Sequence, residues 1–383
     1  MLKYTILILF GLSFLSAKIT PASYRTELYL NLLKNKRVGV IVNHSSTIGK
    51  THLIDFLVQK RIRIKKIFAP EHGFRGNSDA GLKIKNSIDK KTNIPIISLY
   101  GKKKKPNAKD LKNIDILLFD IQDVGVRFYT YLSTLHYILE AGAKYNIPII
   151  LLDRPNPNAH YIDGEVLDLR YKSFIGLDPV PVVYGMTIGE YAKMLNGEGW
   201  IGKKKANLKI IPIANYTHQS FYSLPIKPSP NLPNDKAIAL YPSLAFFEGT
   251  VFSAGRGTQQ QFQIYGNPKY KDKSFKFIPR SRVGAKNPKF KNRVCYGVNL
   301  NRKTLKNIRL KKKIDLSYLI DAYKKYPNKK NFFLKNKFID KLSGSNILRK
   351  QISQGLNESK IRTTWQNGLK KFKKIRKKYL IYR

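Results

Sequence analysis

The chain has 383 residues, of which 72 are Lys or Arg and 24 are Asp or Glu, for a formal net charge of +48. This length exceeds one ordinary core and predicts two domains, and the single cysteine, Cys295, excludes an intramolecular disulfide. The basic residues are mostly lysines spread along the whole chain, which favours a solvated surface, so no nucleic-acid partner is expected.

The N-terminus, MLKYTILILFGLSFLSA, has one lysine before a short apolar stretch and ends in Leu-Ser-Ala. This pattern predicts a cleaved signal peptide over residues 1–17 and therefore a periplasmic or secreted protein. No later stretch reaches the roughly 18 uninterrupted apolar residues that a membrane span needs, so stable membrane insertion is not expected.

Short β-branched runs alternate with longer amphipathic segments from residue 36 onward. This alternation predicts an α/β layer structure with a mainly parallel sheet. Helical spacing is present at 51–59 and 128–145. Because the strand runs are continuously apolar, helices are expected on both faces of the sheet. The predicted strands lie at 37–43, 62–69, 94–100, 114–121, 147–153 and 207–213.

The second half of the chain begins after a proline-rich segment, 224–233, which interrupts regular structure and predicts the domain boundary. Before it, Thr187 and Glu190 have the spacing of a helix capping box. After it, a strand is predicted near 294–300 and a helix near 316–326. A last helix is predicted from Glu358, with a core-facing stripe formed by Ile361, Trp365, Leu369, Phe372, Ile375 and Tyr379.

Polar residues follow four of the predicted strands at the point where each strand ends. In an open parallel sheet, ligands bind at these carboxyl ends, because the loops there meet at one edge. Any one of these residues could instead cap a helix, form a turn or close a salt bridge. Their number in a chain so poor in acids favours a functional site. They are Asn43, Glu71, His72, Asp120, Asp123, Asp153, Arg154 and Asn156.

Several kinds of catalytic chemistry lack support in the sequence. No HExxH pair, Cys/His cluster or Gly-x-Ser-x-Gly turn occurs, and the Gly-Lys-Thr at 49–51 lacks the first glycine of a Walker A loop. Carboxylates remain, and two acids on either side of a bond are what glycoside hydrolysis requires. We therefore expect neither a metal nor another cofactor.

Three arginines lie in glycine-flanked turns, where a guanidinium can bind a carboxylate or phosphate with two parallel hydrogen bonds. They are Arg75, Arg127 and Arg256. The alternative is an internal salt bridge that holds each loop. The binding interpretation predicts a substrate with a fixed anion.

A series of motifs from about residue 24 to the C-terminus resembles, in order and spacing, the secreted bacterial family of exo-β-N-acetylmuramidases called NamZ, formerly a domain of unknown function. The resemblance implies a Rossmann-like catalytic domain over residues 24–235 and a smaller α+β domain over 236–383 that completes the cleft. The motifs are APEHGFRG, SLYG, FDIQDVGVRFYTYLSTL, LDRPNP, VVYGMTIGEYA, PSPNLP, YPSLAFFEGT, SAGRGT and KLSGSNILR.

The resemblance also implies an activity, which is release of N-acetylmuramic acid from the non-reducing end of peptidoglycan fragments. The expected partner is a muropeptide or disaccharide derived from peptidoglycan. The glutamate of the family's Glu-His-Gly motif falls on Glu71, which is expected to be catalytic, with Asp120 or Asp123 as the second carboxylate. One departure from the family pattern is Gln261, which stands before Phe262 where the family has proline. We expect altered loop geometry there.

The predicted substrate-binding residues divide by chemistry. The lactyl carboxylate of muramic acid is expected to bind Arg127, Arg154 or Arg256, and the sugar to stack on Phe128, Tyr129 or Tyr131. The remaining predicted binding residues are Asn43, His72, Arg75, Asp153, Asn156, Asn231 and Glu248.

Two other functions remain open from the sequence. The basic charge would also suit a non-catalytic protein that binds cell-wall polymers, whose binding would collapse with salt. Alternatively, His72, Asp120 and Asp123 would hold a metal in a hydrolase of a wall precursor, which a chelator would inactivate.

Overall fold

A computed structural model of the chain describes residues 18–71, 73–74 and 86–382. The predicted signal peptide, His72 and Arg75 lie outside the described residues.

Seven strands of the described chain form one sheet in the spatial order β5–β6–β4–β1–β7–β8–β9, and β5 alone runs antiparallel to its neighbour. This sheet contains all six strands predicted for the first half, each shorter than predicted at one or both ends. The strands in chain order are β1 (Val38–Val42), β2 (Thr47–Ile48), β3 (Thr51–His52), β4 (Ile64–Ala69), β5 (Ser87–Ile88), β6 (Pro95–Ser98), β7 (Ile116–Asp120), β8 (Ile149–Leu152) and β9 (Leu208–Ile211), where β2 and β3 pair as a separate hairpin.

The sheet is covered on both faces, and alternate residues of one strand enter two different cores. Leu117 and Phe119 of β7 pack into the larger core, whereas Ile116 and Leu118 pack into the smaller one. Successive side chains of a strand point to opposite faces, so continuous apolar strands are what a doubly covered sheet requires. The predicted α/β fold is confirmed.

The helices flank this sheet and build most of the second half of the chain. Asn357 caps α11 by accepting a hydrogen bond from the amide of Lys360, which explains why this helix begins at Glu358 as predicted. The α-helices are α1 (Leu30–Leu33), α2 (Leu53–Gln59), α3 (Ala108–Leu111), α4 (Tyr131–Tyr145), α5 (Ile188–Gly197), α6 (Asp235–Leu244), α7 (Leu305–Leu310), α8 (Ser317–Lys325), α9 (Phe338–Ser343), α10 (Ile347–Ser353) and α11 (Glu358–Lys377).

The second half adds a small antiparallel sheet in the order β10–β12–β11, with β10 (Ile264–Asn267), β11 (Lys276–Phe277) and β12 (Cys295–Asn299). Cys295 is buried in β12. Together with α7 to α11, this sheet forms the smaller α+β part that was expected. In the described ranges, no helix is long and apolar enough to cross a membrane.

The C-terminal end of the chain returns to the first sheet. The hydroxyl of Tyr382 donates to Asp153 at 2.7 Å, and the amide of Ile381 donates to Glu190 at 2.7 Å. Glu190 also completes the predicted capping box with Thr187 at the start of α5. The last residues are therefore fixed to the loop that follows β8 and to the start of α5.

Candidate active site

Glu71 lies at the carboxyl end of β4, in the turn where ligands of a parallel sheet are expected. Gly73 closes this turn by donating its amide to the carbonyl of Pro70 at 3.0 Å, with a φ of +76° that suits glycine. One oxygen of Glu71 accepts a hydrogen bond of 2.6 Å from the hydroxyl of Thr130. Thr130 directly precedes α4, so Glu71 lies near the N-terminus of that helix, where the helix dipole favours an anion.

Two tyrosines also lie close to the Glu71 carboxylate. Burial, with Glu71 adding to it, raises the pKa of Tyr100, and the same two causes raise the pKa of Tyr131. Both phenols therefore stay neutral and can act as hydrogen-bond donors beside the carboxylate.

Glu71 opens onto a cavity of about 130 Å³ that both halves of the chain line. A second carboxylate, Glu248, lines the same cavity, together with Arg256 and Asn231. Five aromatic side chains form much of the remaining wall. They are Phe128, Tyr129, Tyr131, Tyr241 and Phe262.

Glu248 and Arg256 form an ion pair at this cavity. Glu248 belongs to the short helical turn Ala245–Gly249, and one of its oxygens accepts a hydrogen bond of 2.5 Å from Nε of Arg256. Loss of water lowers the pKa of Arg256, but the neighbouring Glu248 and, to a smaller extent, Tyr241 and Glu71 raise it, so the net shift is upward and the guanidinium stays charged. Among the described residues, the two terminal nitrogens of Arg256 have no hydrogen-bond acceptor. They remain available to a ligand.

Asn231 presents a buried acceptor to the cavity. Its side chain is 1% exposed, and its amide nitrogen donates to the carbonyl of Gly284 at 2.8 Å, which fixes the orientation of the amide. The side-chain oxygen has no hydrogen-bond partner within the described part of the chain. Buried polar atoms are rarely left unpaired, so a hydroxyl or amide of a ligand is expected there.

Asp120 does not line the cavity. It is fully buried, and its two oxygens accept hydrogen bonds from Nε and Nη2 of Arg154 at 2.5 and 2.7 Å. This bidentate pair occupies the groups that both residues would need for a substrate. The placement favours Glu248 over Asp120 as the carboxylate opposite Glu71 and removes Arg154 from the candidates for binding an anion.

Asp123 also lies outside the cavity lining, behind the aromatic wall. It accepts hydrogen bonds from the hydroxyl of Tyr184 and from the amide of Gly125, while its other oxygen has no partner among the described residues. Burial raises the pKa of Asp123 to about 7, although both donors act against the increase. Below that pH the side chain is a neutral, buried acid that supports the loop after β7.

The raised pKa of Asp123 makes a prediction about stability. The folded protein keeps this proton up to about pH 7, whereas the unfolded chain loses it near pH 3.8, so the folded state binds more protons between these values. The free energy of unfolding should therefore fall as the pH rises from 4 to 7, by on the order of 2 kcal/mol more in the wild type than in Asp123→Asn.

Denaturant unfolding of both proteins across this pH range measures the difference. Parallel pH profiles would contradict the assignment of the proton to Asp123. An Asp123→Asn protein that folds normally but has no activity would make Asp123 a catalytic candidate again.

The other predicted residues that the structure describes and that do not line the cavity have partners within the protein. Arg127 donates to the carbonyls of Glu165, Val180 and Leu342 at 2.7 to 3.0 Å. The side-chain oxygens or nitrogens of the remaining three bind neighbouring loops, which explains their position at strand ends without a ligand. These three are Asn43, Asp153 and Asn156.

The structure thus brings together seven of the predicted residues, which are Glu71, Phe128, Tyr129, Tyr131, Asn231, Glu248 and Arg256. Sequence reasoning missed Thr130, Tyr241 and Phe262. Tyr241 lies inside α6 and Phe262 lies in a turn with a φ of +51°, so neither follows a strand of the parallel sheet. The available signal was that Thr130 and Tyr241 lie in the conspicuous motifs FDIQDVGVRFYTYLSTL and YPSLAFFEGT and that Phe262 shortly follows SAGRGT.

No group of three or more His, Cys, Asp or Glu side chains suited to a metal occurs in residues 18–71, 73–74 and 86–382. Of the ligands in the alternative metal hypothesis, Asp120 is bound to Arg154 and His72 lies outside the described residues. Two carboxylates, one of them paired with a guanidinium, and an aromatic wall suit the cleavage of a glycosidic bond. These features assign the protein to the glycoside hydrolases.

Comparisons with known proteins give the family. The model described as "Exo-beta-N-acetylmuramidase NamZ, N-terminal" matches residues 38–236, and its C-terminal counterpart matches residues 239–382. The chain therefore belongs to the NamZ family of exo-β-N-acetylmuramidases. A curated relative, the peptidoglycan β-N-acetylmuramidase NamZ of Bacillus subtilis (strain 168), is 38% identical over 377 residues, which cover 92% of this chain and 89% of the relative.

Two crystal structures of DUF1343 family proteins from Bacteroides fragilis NCTC 9343 have the same fold. One has a TM-score of 0.89 and 45% identity, covering 96% of this chain and 99% of that protein. The other has a TM-score of 0.80 and 28% identity, covering 95% of this chain and 99% of that protein. The similarity extends over both halves of the chain.

Proposed function

We propose that this protein is an exo-acting glycoside hydrolase that releases N-acetylmuramic acid from the non-reducing end of peptidoglycan fragments, with Glu71 and Glu248 as its two carboxylates. The observation that carries the proposal is the cavity that Glu71, from the first half of the chain, and Glu248, from the second, line together. Membership of the NamZ family supports the substrate.

The surroundings of the two carboxylates suggest different roles. Glu71 is the carboxylate of this cavity that falls in the Glu-His-Gly motif, and the hydroxyl of Thr130 orients it, so it is the candidate for proton transfer to the departing glycosidic oxygen. Glu248 is paired with Arg256, which stabilises its carboxylate. An anionic Glu248 would stabilise the positive charge that develops at the anomeric carbon as the bond breaks.

Arg256 is the candidate group for the lactyl carboxylate of the sugar. Of the three arginines considered for this anion, it is the one that lines the cavity, and its two terminal nitrogens are unoccupied within the described chain. A guanidinium binds a carboxylate through two parallel hydrogen bonds. The aromatic wall supplies surfaces for the apolar face of the ring.

This role for Arg256 predicts a substrate-dependent loss of activity. Arg256→Met should lower kcat/KM on a β-glycoside of N-acetylmuramic acid by about 10- to 100-fold more than on the N-acetylglucosamine glycoside, which lacks the lactyl carboxylate. Loss of Arg256 also disturbs Glu248, but this effect lowers the activity on both substrates and therefore cancels in the comparison. Arg280→Met, at an exposed site, is the control. Equal losses on the two substrates would contradict the role.

The decisive experiment uses the disaccharide in which N-acetylmuramic acid is β-linked to N-acetylglucosamine. Incubation should release both free sugars, which mass spectrometry detects, and prior treatment with a chelator should leave the rate unchanged. Intact disaccharide would contradict the proposal and favour a wall-binding protein. Activity that the chelator removes would favour the metal-dependent alternative.

We also propose that the protein acts in the periplasm or outside the cell. The pattern of residues 1–17 supports this, as does the location of peptidoglycan. The mature protein should begin at Lys18, which N-terminal mass spectrometry of protein secreted by its host measures. A chain that retains residues 1–17 would contradict cleavage.

A further inference from the structure

One lysine ammonium is enclosed by backbone carbonyls of the segment that carries Glu248. Nζ of Lys289 donates to the carbonyl oxygen of Thr250 at 2.7 Å and lies 3.2 Å from that of Glu248. It also lies 3.3 Å from the carbonyl oxygens of Phe247 and Phe252. Lys289 comes from a distant loop, so these contacts join two separate parts of the second half.

The carbonyl oxygens converge because side chains fix the segment around them. Phe247 and Phe252 are fully buried, with ring centroids 5.8 Å apart. Between them, the hydroxyl of Thr250 donates to the carbonyl of Phe247 at 2.9 Å and accepts from the amide of Phe252 at 3.1 Å. Carbonyl oxygens gathered in this way repel each other and need a donor or a cation between them.

Lys289 reaches this point from solvent. The residue as a whole is exposed, and it lines a second cavity of about 390 Å³, separate from the active-site cavity. Loss of water lowers the pKa of Lys289 to about 8, with Glu248 acting against this decrease and Arg256 adding to it. The ammonium is therefore electrostatically coupled to both members of the active-site ion pair.

We propose that Lys289 is a positioning residue for Glu248. Its ammonium holds the carbonyls of residues 247–252 together and so fixes the direction from which the Glu248 side chain enters the active-site cavity. The inference rests on the proposed function, in which Glu248 is one of the two carboxylates. Without the ammonium the turn relaxes and the carboxylate shifts, which lowers the rate of bond cleavage more than the affinity for substrate.

Chemical rescue tests this proposal. Lys289→Ala removes three carbons and the ammonium, a piece the size of n-propylammonium, and the second cavity gives that ion a route to the vacated place. Lys289→Ala should lower kcat by about 10²-fold with little change in KM. Added n-propylammonium should restore kcat in a saturable manner. Tetramethylammonium should not, because it carries the charge but has no N–H donor.

Lys269→Ala is the matched control, because Lys269 lines the same second cavity and, among the described residues, its ammonium makes no hydrogen bond to the Glu248 segment. Should Lys289→Ala not fold, Lys289→Met keeps the stem and lacks the ammonium alone. An unchanged kcat in either Lys289 variant overturns the proposal, as does a loss that n-propylammonium does not restore in Lys289→Ala. Glu248→Gln distinguishes failure of the Lys289 proposal from failure of the proposed function. Full activity in Glu248→Gln would contradict the proposed function itself.

Discussion

Glu71→Gln is expected to lower kcat on a chromogenic β-glycoside of N-acetylmuramic acid by about 10³-fold while the protein stays folded. Glutamine keeps the shape of the side chain and can still accept the hydrogen bond from Thr130, but it cannot supply a proton. Initial-rate kinetics and circular dichroism of the same preparation measure the two parts of this result.

Glu140→Gln is the matched control for this substitution. Glu140 lies on α4, whose first turn adjoins Glu71, but it pairs with Lys105 at the surface. We expect unchanged kinetics, because a surface ion pair contributes little. Substantial activity in Glu71→Gln would rule out Glu71 as the proton donor, whereas a chromogenic substrate with a very good leaving group should reduce the defect if the role is correct.

Arg154→Met is expected to lower the free energy of unfolding by about 3 to 5 kcal/mol, because it leaves the Asp120 carboxylate buried without its partner. Asp120 is 0% exposed and Arg154 is 5% exposed. The double variant Asp120→Asn with Arg154→Met should recover part of the loss, since no buried charge remains. Denaturant unfolding measures all three proteins.

The surface pair Arg170 and Asp168 provides the contrast. The Arg170 side chain is 84% exposed, and Arg170→Met should leave the free energy of unfolding nearly unchanged. A comparably small effect of Arg154→Met would mean that the Asp120 carboxylate is not buried as a charge. If Arg154→Met were stable but unable to bind substrate, Arg154 would belong to the active site after all.

The sheet could be predicted from the sequence because a doubly covered parallel sheet requires continuous apolar strands, and those runs are visible. The predicted strand at 114–121 became β7, and Glu71 lies in the turn after β4 as expected. The capping box of Thr187 and Glu190 was equally visible, since it depends only on local spacing.

The second carboxylate could not be predicted by the same means. Asp120 and Glu71 both lie where an apolar strand ends, but Asp120 is still part of β7 and follows its alternation onto the face shared with Ile116 and Leu118. The aromatic wall of the cavity belongs to the core on the opposite face. The sequence shows which residues of a strand share a face of the sheet, but it does not show on which face the second half of the chain packs.

The position of Glu248 in the active site depends on that packing even more strongly. Glu248 lies in a short helical turn far from any strand of the first sheet, and it reaches Glu71 only because the two halves associate. Its pairing with Arg256 requires the turn of Gly255 and Gly257, both with positive φ. Sequence alone placed Glu248 among the binding residues and gave it no catalytic role.

The fixed C-terminal end has a practical consequence for preparing the protein. Tyr382 is 6% exposed and its hydroxyl also accepts a hydrogen bond from the amide of Ile213 at 2.8 Å. An affinity tag fused after Arg383 would start beside these buried contacts and compete with them. Carboxypeptidase trimming should likewise reduce heat resistance before it affects turnover.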